Sequence, residues 1–183
     1  MLLALLFMSI AANAQKVAIL PINYIGDSPI MMDDMRYRLQ NIAYQYLRNG
    51  SMELRIQDPS ETNALLLRNG VRESNLREFT PAELADMLHV EYVLTGMVTQ
   101  EVVGMSTTNN SRRSEYNNRR WNERESWRHS RTVTDMNTTI DLSIYNYQGE
   151  NIYSRSRRSI LSTADAYKYG MEYLLKRSPL YHR

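Results

Sequence analysis

Asp135, Asn137, Thr139 and Asp141 are interleaved one by one with Met136, Thr138, Ile140, Leu142 and Ile144. Side chains two apart share one face of a strand, so this stretch demands a β-sheet with one buried and one wet face. No helix satisfies the pattern, and the strand needs neighbours. One is at 90–105, VEYVLTGMVTQEVVGM, too rich in valine for a good helix, with Gly96 marking a bulge or a close backbone approach. The other is at 152–160, reached through the turn Tyr147-Gln148-Gly149-Glu150. Three strands this close in sequence predict an antiparallel meander.

Upstream, strands and helices alternate. Residues 16–20, KVAIL, read as a short buried strand stopped by Pro21, with a loop at 22–27. Ser28-Pro29 offers a helix start, and Met31, Met35, Leu39, Ile42 and Tyr46 recur at helical spacing until Asn49-Gly50. That spacing makes Met31 and Met35 core fillers rather than copper ligands. Met52, Leu54 and Ile56 alternate with polar residues as a second strand, and Asp58-Pro59-Ser60 opens a helix ending at Asn69-Gly70. Thr80-Pro81-Ala82-Glu83 is a capping box, with Leu84, Met87 and Leu88 on the inner face of its helix. Ser162 or Thr163 caps a last helix carrying Ala166, Tyr169, Tyr173 and Leu174. The predicted order is β-α-β-α-α-β-β-β-α, one α/β (α+β) domain over 15–183 with helices packed on a mixed sheet.

Residues 2–12, LLALLFMSIAA, are too short an apolar run to span a bilayer, and Ala12-Asn13-Ala14 follows as a small-x-small cleavage pattern. Residues 1–14 therefore read as a secretory leader, although the usual basic segment is absent because Leu2 follows Met1 directly. The expected location is exported, periplasmic or associated with the outer membrane, with no transmembrane helix in the mature chain. Cysteine is absent, which excludes disulfides, thiolate chemistry and lipidation through cysteine.

The meander is interrupted at 106–131 by STTNNSRRSEYNNRRWNERESWRHSR, a polar tract with almost no aliphatic residue. Seven arginines and three glutamates give it +4 in a chain whose net charge is only +2. Three readings fit: a solvated hairpin extension, a contact surface, or a membrane-inserting hairpin. Polar inserts between strands are tolerated at small entropic cost. A contact surface would use Arg112, Arg113, Arg119, Arg120, Arg124 and Arg128 with Tyr116, Trp121 and Trp127, residue types suited to carboxylates, phosphates and protein anchors. A membrane hairpin needs alternate apolar positions, and around Trp121 both faces carry Asn, Glu, Arg and Ser. Nucleic acid also suits arginine with aromatics, but an exported protein seldom meets it.

Catalytic signatures are lacking. His89, His129 and His182 stand without a second histidine at ligand spacing, and no nucleophile elbow, zinc-protease motif or phosphate-cradling loop occurs. Asp33-Asp34 suits the helix macrodipole, and Asp135 and Asp141 are about 20 Å apart on one strand, too far to share a proton. The expectation is no enzyme, no metal and no cofactor.

KVAILPINYIGD at 16–27, LADMLHVEYVLTGMV at 84–98 and IDLSIYNYQGENIYS at 140–154 together resemble the group formed by curli-secretion channels (CsgG-like) and TolB amino-terminal domains. The resemblance implies an anticodon-binding-domain-like fold at the periplasmic side of the envelope. It also implies a non-enzymatic role in secretion, envelope assembly or activation of a cell-wall synthase. Channel-forming members are acylated on cysteine and carry membrane-crossing hairpins, whereas this chain has neither cysteine nor an apolar hairpin. His89 stands where the group's pattern has a glycine. The implied function is an envelope adaptor contacting an envelope protein or an anionic polymer. The alternatives are an oligomeric secretion-channel subunit, hence a homo-oligomer, or a hydrolase whose site would need convergent carboxylates or His89 in a pocket.

Overall fold

The structure is a computed structural model that describes residues 15–26, 32–50, 54–113, 126–161 and 163–181; at 32–33, 105–113 and 126–134 it describes the backbone course alone. The expected leader, Ser28-Pro29, Met31 and Met52 lie outside the described residues. Six strands form one sheet: β1 (Lys16–Ile19), β2 (Asn23–Ile25), β3 (Arg55–Ile56), β4 (Tyr92–Arg113), β5 (Ser126–Asn146) and β6 (Asn151–Arg158). The helices are α1 (Met32–Gly50), α2 (Pro59–Arg68), α3 (Pro81–Leu88) and α4 (Ala166–Leu175). The architecture is the mixed α/β sheet that the sequence predicts.

Strand order is β3-β1-β4-β5-β6, with β1 parallel to both β3 and β4, and the pairs β4–β5 and β5–β6 antiparallel. The expected order lacks one element. The predicted loop at 22–27 contains β2, whose Asn23 to Ile25 pair in parallel with Met97 to Thr99 and continue the edge of β4 that β1 occupies at Tyr92 to Leu94. Three residues carry too little alternation to announce a strand.

The sheet is sandwiched unevenly. On one face Val17, Ile19, Leu94, Val98, Ile140, Leu142 and Ile144 meet α1 and α4 through Leu39, Ala43, Leu47, Met171 and Leu175. On the other, Ala18, Leu20 and Val93 meet α2 and α3 through Leu66, Leu84 and Leu88. That second layer stops short, so Asp141 and Ser143 of β5 remain half-exposed on the wet face that the alternation implies.

Local capping agrees with the residue types. Thr80 and Glu83 close the capping box of α3, and Asp58 accepts from the Ser60 amide at 2.8 Å to start α2. The last helix departs from expectation, since α4 begins at Ala166 after Asp165 and no side chain caps it. Tyr169 is 62% exposed, because the buried stripe of α4 runs through Tyr167, Gly170, Met171 and Leu174. In α1 the fully buried positions are Leu39, Ala43 and Leu47, while Ile42 and Tyr46 flank the seam with α4.

Gly96 marks a close approach rather than a bulge, since a Cβ there would stand 2.6 Å from a Leu142 methyl and 2.7 Å from the Asp141 carbonyl oxygen. The bulge lies further on, between Val102 and Gly104. His89 ends α3 in the left-handed region at φ 54°, ψ 51°, a position that favours glycine.

Candidate interaction surface

β4 and β5 are 22 and 21 residues long, far beyond the other strands. Through Thr99 and Thr139 they belong to the sheet, with β2 alongside β4 and β6 alongside β5. Past those rows no third strand flanks them among the described residues, and the two continue as a ribbon to the pair Arg113↔Ser126. Thirteen residues of β4 at 101–113 carry the backbone about 40 Å outward in extended geometry. Both strands were expected to stop at the polar tract, at 105 and 132. Pairing continues across that boundary because ladder hydrogen bonds need only backbone groups, and polar or β-branched side chains do not oppose them.

The root of this ribbon is pinned by a buried polar cluster. Gln100, only 5% exposed, donates from Nε2 to Thr138 Oγ1 at 3.0 Å and to the Ala164 carbonyl at 3.0 Å, and its Oε1 accepts from the Tyr24 hydroxyl at 3.1 Å. One side chain thus ties β2, β4, β5 and the entry to α4 together. Val102 and Val103 follow it at 40% and 56% exposure, so the apolar core ends here.

The backbone of β4 carries Arg112 and Arg113, and that of β5 carries Trp127 and Arg128, with Arg112 paired to Trp127 and Ser111 to Arg128. Tyr116, Arg119, Arg120, Trp121 and Arg124 lie outside the described residues. The structure therefore brings four of the nine expected contact residues onto one ribbon.

A second basic cluster was not singled out by sequence reasoning. β6 is an edge strand, and Tyr153, Arg155 and Arg157 pair with Ile144, Leu142 and Ile140, on the face of the sheet that carries α4. The Tyr153 hydroxyl donates to the Leu174 carbonyl at 2.8 Å, and burial raises its pKa above the ordinary tyrosine value. Arg157 stands 3.4 Å and Arg177 3.5 Å from the centroid of the Tyr173 ring. Both cations therefore lie within cation–π distance of the same ring. Arg155, Arg157, Arg158 and Arg177 form no ion pair with any described carboxylate. Three arginines within residues 155–158, on a strand placed last by the Gly149 turn, were the available signal.

Other concavities are shallower in meaning. A groove of about 520 Å³ runs along α1, lined by Tyr37, Arg38, Ile42 and Tyr46, with Lys168 of α4 at its side. Tyr46 donates to Glu172 at 3.1 Å and Lys176 to the same carboxylate at 2.6 Å, a clasp between α1 and α4. Burial, then the bond to Glu172, raises the Tyr46 pKa. His89 lines a depression of about 470 Å³ with Asp86, Glu91 and Tyr147. The acids and the imidazole do converge there, yet among the described residues no hydrogen bond or ion pair links His89 to either acid, and no nucleophile joins them. No described helix is long and apolar enough to cross a membrane, and no cluster of three metal-ligating His, Asp or Glu side chains occurs among the described residues.

No protein family's profile matches the sequence, and no curated protein matches it significantly. Three solved structures share parts of the architecture. Lipoprotein GNA1162 from Neisseria meningitidis is 11% identical, with a TM-score of 0.48 over 79% of this chain and 81% of that one. The LpoB C-terminal domain from Salmonella enterica is 10% identical, at 0.44 over 79% and 82%. A PelC dodecamer from Paraburkholderia phytofirmans is 16% identical, at 0.47 over 93% and 89%.

Proposed function

We propose that this chain is a non-enzymatic envelope adaptor, exported through its N-terminal leader, whose β4–β5 ribbon captures an envelope protein. The observation that carries the reading is the ribbon itself. Two strands continue past the last row of core residues with no third strand on either side among the described residues, and an isolated two-stranded ribbon has little stability of its own in water. Its exposed backbone edges and arginine and tryptophan positions suit strand addition or anchoring by a partner. Gln100 fixes the root so that the partner meets an oriented arm.

The test replaces residues 106–131 by a short turn. The expected result is an unchanged circular dichroism spectrum and thermal midpoint together with loss of the partner that the affinity-tagged full chain pulls down from envelope extracts, the same partner that a photoreactive residue in place of Trp127 crosslinks in that full chain. Capture that is unaffected by the deletion overturns the reading. Light scattering on the mature chain is expected to give a monomer; a stable ring would favour the channel-subunit alternative instead.

A further inference from the structure

We infer that the Arg157–Tyr173–Arg177 stack, with Arg155 beside it, is a docking track for a linear acidic polysaccharide, independent of the ribbon. Two guanidinium groups held at one ring have lost part of their freedom before any ligand arrives, and no described carboxylate pairs with the N–H edge of either. Such a donor edge suits bidentate bonding to carboxylates. Arg155 lies two residues from Arg157 on the same face of β6, about 7 Å away in strand geometry. Arg158 pairs with Thr139 and so belongs to the opposite face. Positive charge therefore wraps around an open sheet edge; none of these arginines forms an ion pair with a described carboxylate, although Asp141, opposite Ser156, shares the Arg158 face.

The arrangement selects among polyanions. A bilayer is planar and can touch only one side of an edge strand, whereas a chain running along that edge reaches both. Single-stranded nucleic acid gains affinity by stacking bases on free aromatic faces, and the Tyr173 ring is already engaged by two arginines. A polymer of uronic acids needs neither a plane nor a free ring. Its carboxylates meet the arginines, and its hydroxyls meet the exposed Ser154 and Ser156 of the same strand.

The probe is polygalacturonate, titrated against the full chain, with neutral dextran as the uncharged control. Binding is expected to weaken steeply between about 50 and 300 mM salt, as an interaction of several exposed charges must. Arg155→Glu, at an exposed position, is expected to reduce affinity at least about tenfold, in line with the loss of a charge-assisted hydrogen bond and a two-unit reversal of local charge. Arg157→Gln with Arg177→Gln is expected to reduce it further, and the Lys versions are expected to rescue only in part because an ammonium cannot bond bidentately. Wild-type affinity in the Arg155→Glu chain, or equal binding of dextran, overturns the inference. So does tighter binding to anionic phospholipid vesicles or to single-stranded DNA than to polygalacturonate. Removing residues 106–131 is expected to leave polygalacturonate binding intact, so failure of this track and failure of the ribbon reading are separately visible.

Discussion

β4 and β5 pair continuously from Tyr92↔Asn146 to Arg113↔Ser126, yet their two halves live under different rules. In the inner half Leu94, Val98, Ile140, Leu142 and Ile144 are buried against α1 and α4, and every row has a flanking strand or helix. In the outer half the ladder is the same, but among the described residues no third strand flanks it. A pair of strands can thus be structural along one part of its length and available along the other, and Gln100 and Thr138 mark the border. Stability should be concentrated below that border and binding above it.

Mutations can break this division or sharpen it. Leu94→Ala, at a fully buried position in the inner half, should lower stability by about 2–5 kcal/mol in a denaturant titration. A much smaller loss would mean that the inner half is not the core. At the border, Gln100→Leu removes the bonds to the Tyr24 hydroxyl, the Thr138 hydroxyl and the Ala164 carbonyl and should cost about 1–3 kcal/mol, read from the thermal midpoint. The same variant should weaken partner crosslinking at Trp127 more than the stability loss explains, because the arm loses its fixed root.

Away from both halves, His89→Gly should stabilise the chain by about 0.5–1 kcal/mol by relieving the left-handed backbone at the end of α3. Stabilisation without loss of partner capture would also argue against any chemical role for the imidazole. The smallest effect concerns acid. The Lys176 ammonium holds the Glu172 carboxyl below its ordinary value of 4.5, with the Tyr46 hydroxyl helping. A depressed carboxylate stabilises the fold above its unfolded pKa and loses that contribution as pH falls through the lowered value. Glu172→Gln should therefore flatten the acid side of the stability curve below about pH 4.5, by less than about 1 kcal/mol given its partial solvent exposure.

Much of this division was legible in the chain. The alternation at 135–144 fixes the buried face of β5, and Thr138, Ile140, Leu142 and Ile144 are indeed inside. Thr80 and Glu83 announce the start of α3 because the capping box is a local device needing no tertiary context. What escaped depends on contacts between distant segments. β2 is a strand only because Met97 to Thr99 present a free ladder. The ribbon extends past the apolar pattern because backbone pairing propagates without a core. The stack at Tyr173 joins residues from β6, α4 and the turn after it, and no spacing rule links 157, 173 and 177. The glycine-like position of His89 was visible only as a mismatch with a family pattern, and its backbone angle supplies the physical cause.

The irregularity between Val102 and Gly104 sets two residues of β4 against one of β5, so partners that were even with even below it become even with odd above it. The arm's phase is thereby decoupled from that of the sheet. Adding or removing a single residue at this point would turn the outer strand over by half a twist while leaving every inner pairing in place, which gives such a chain a cheap way to change what it presents without rebuilding what holds it up.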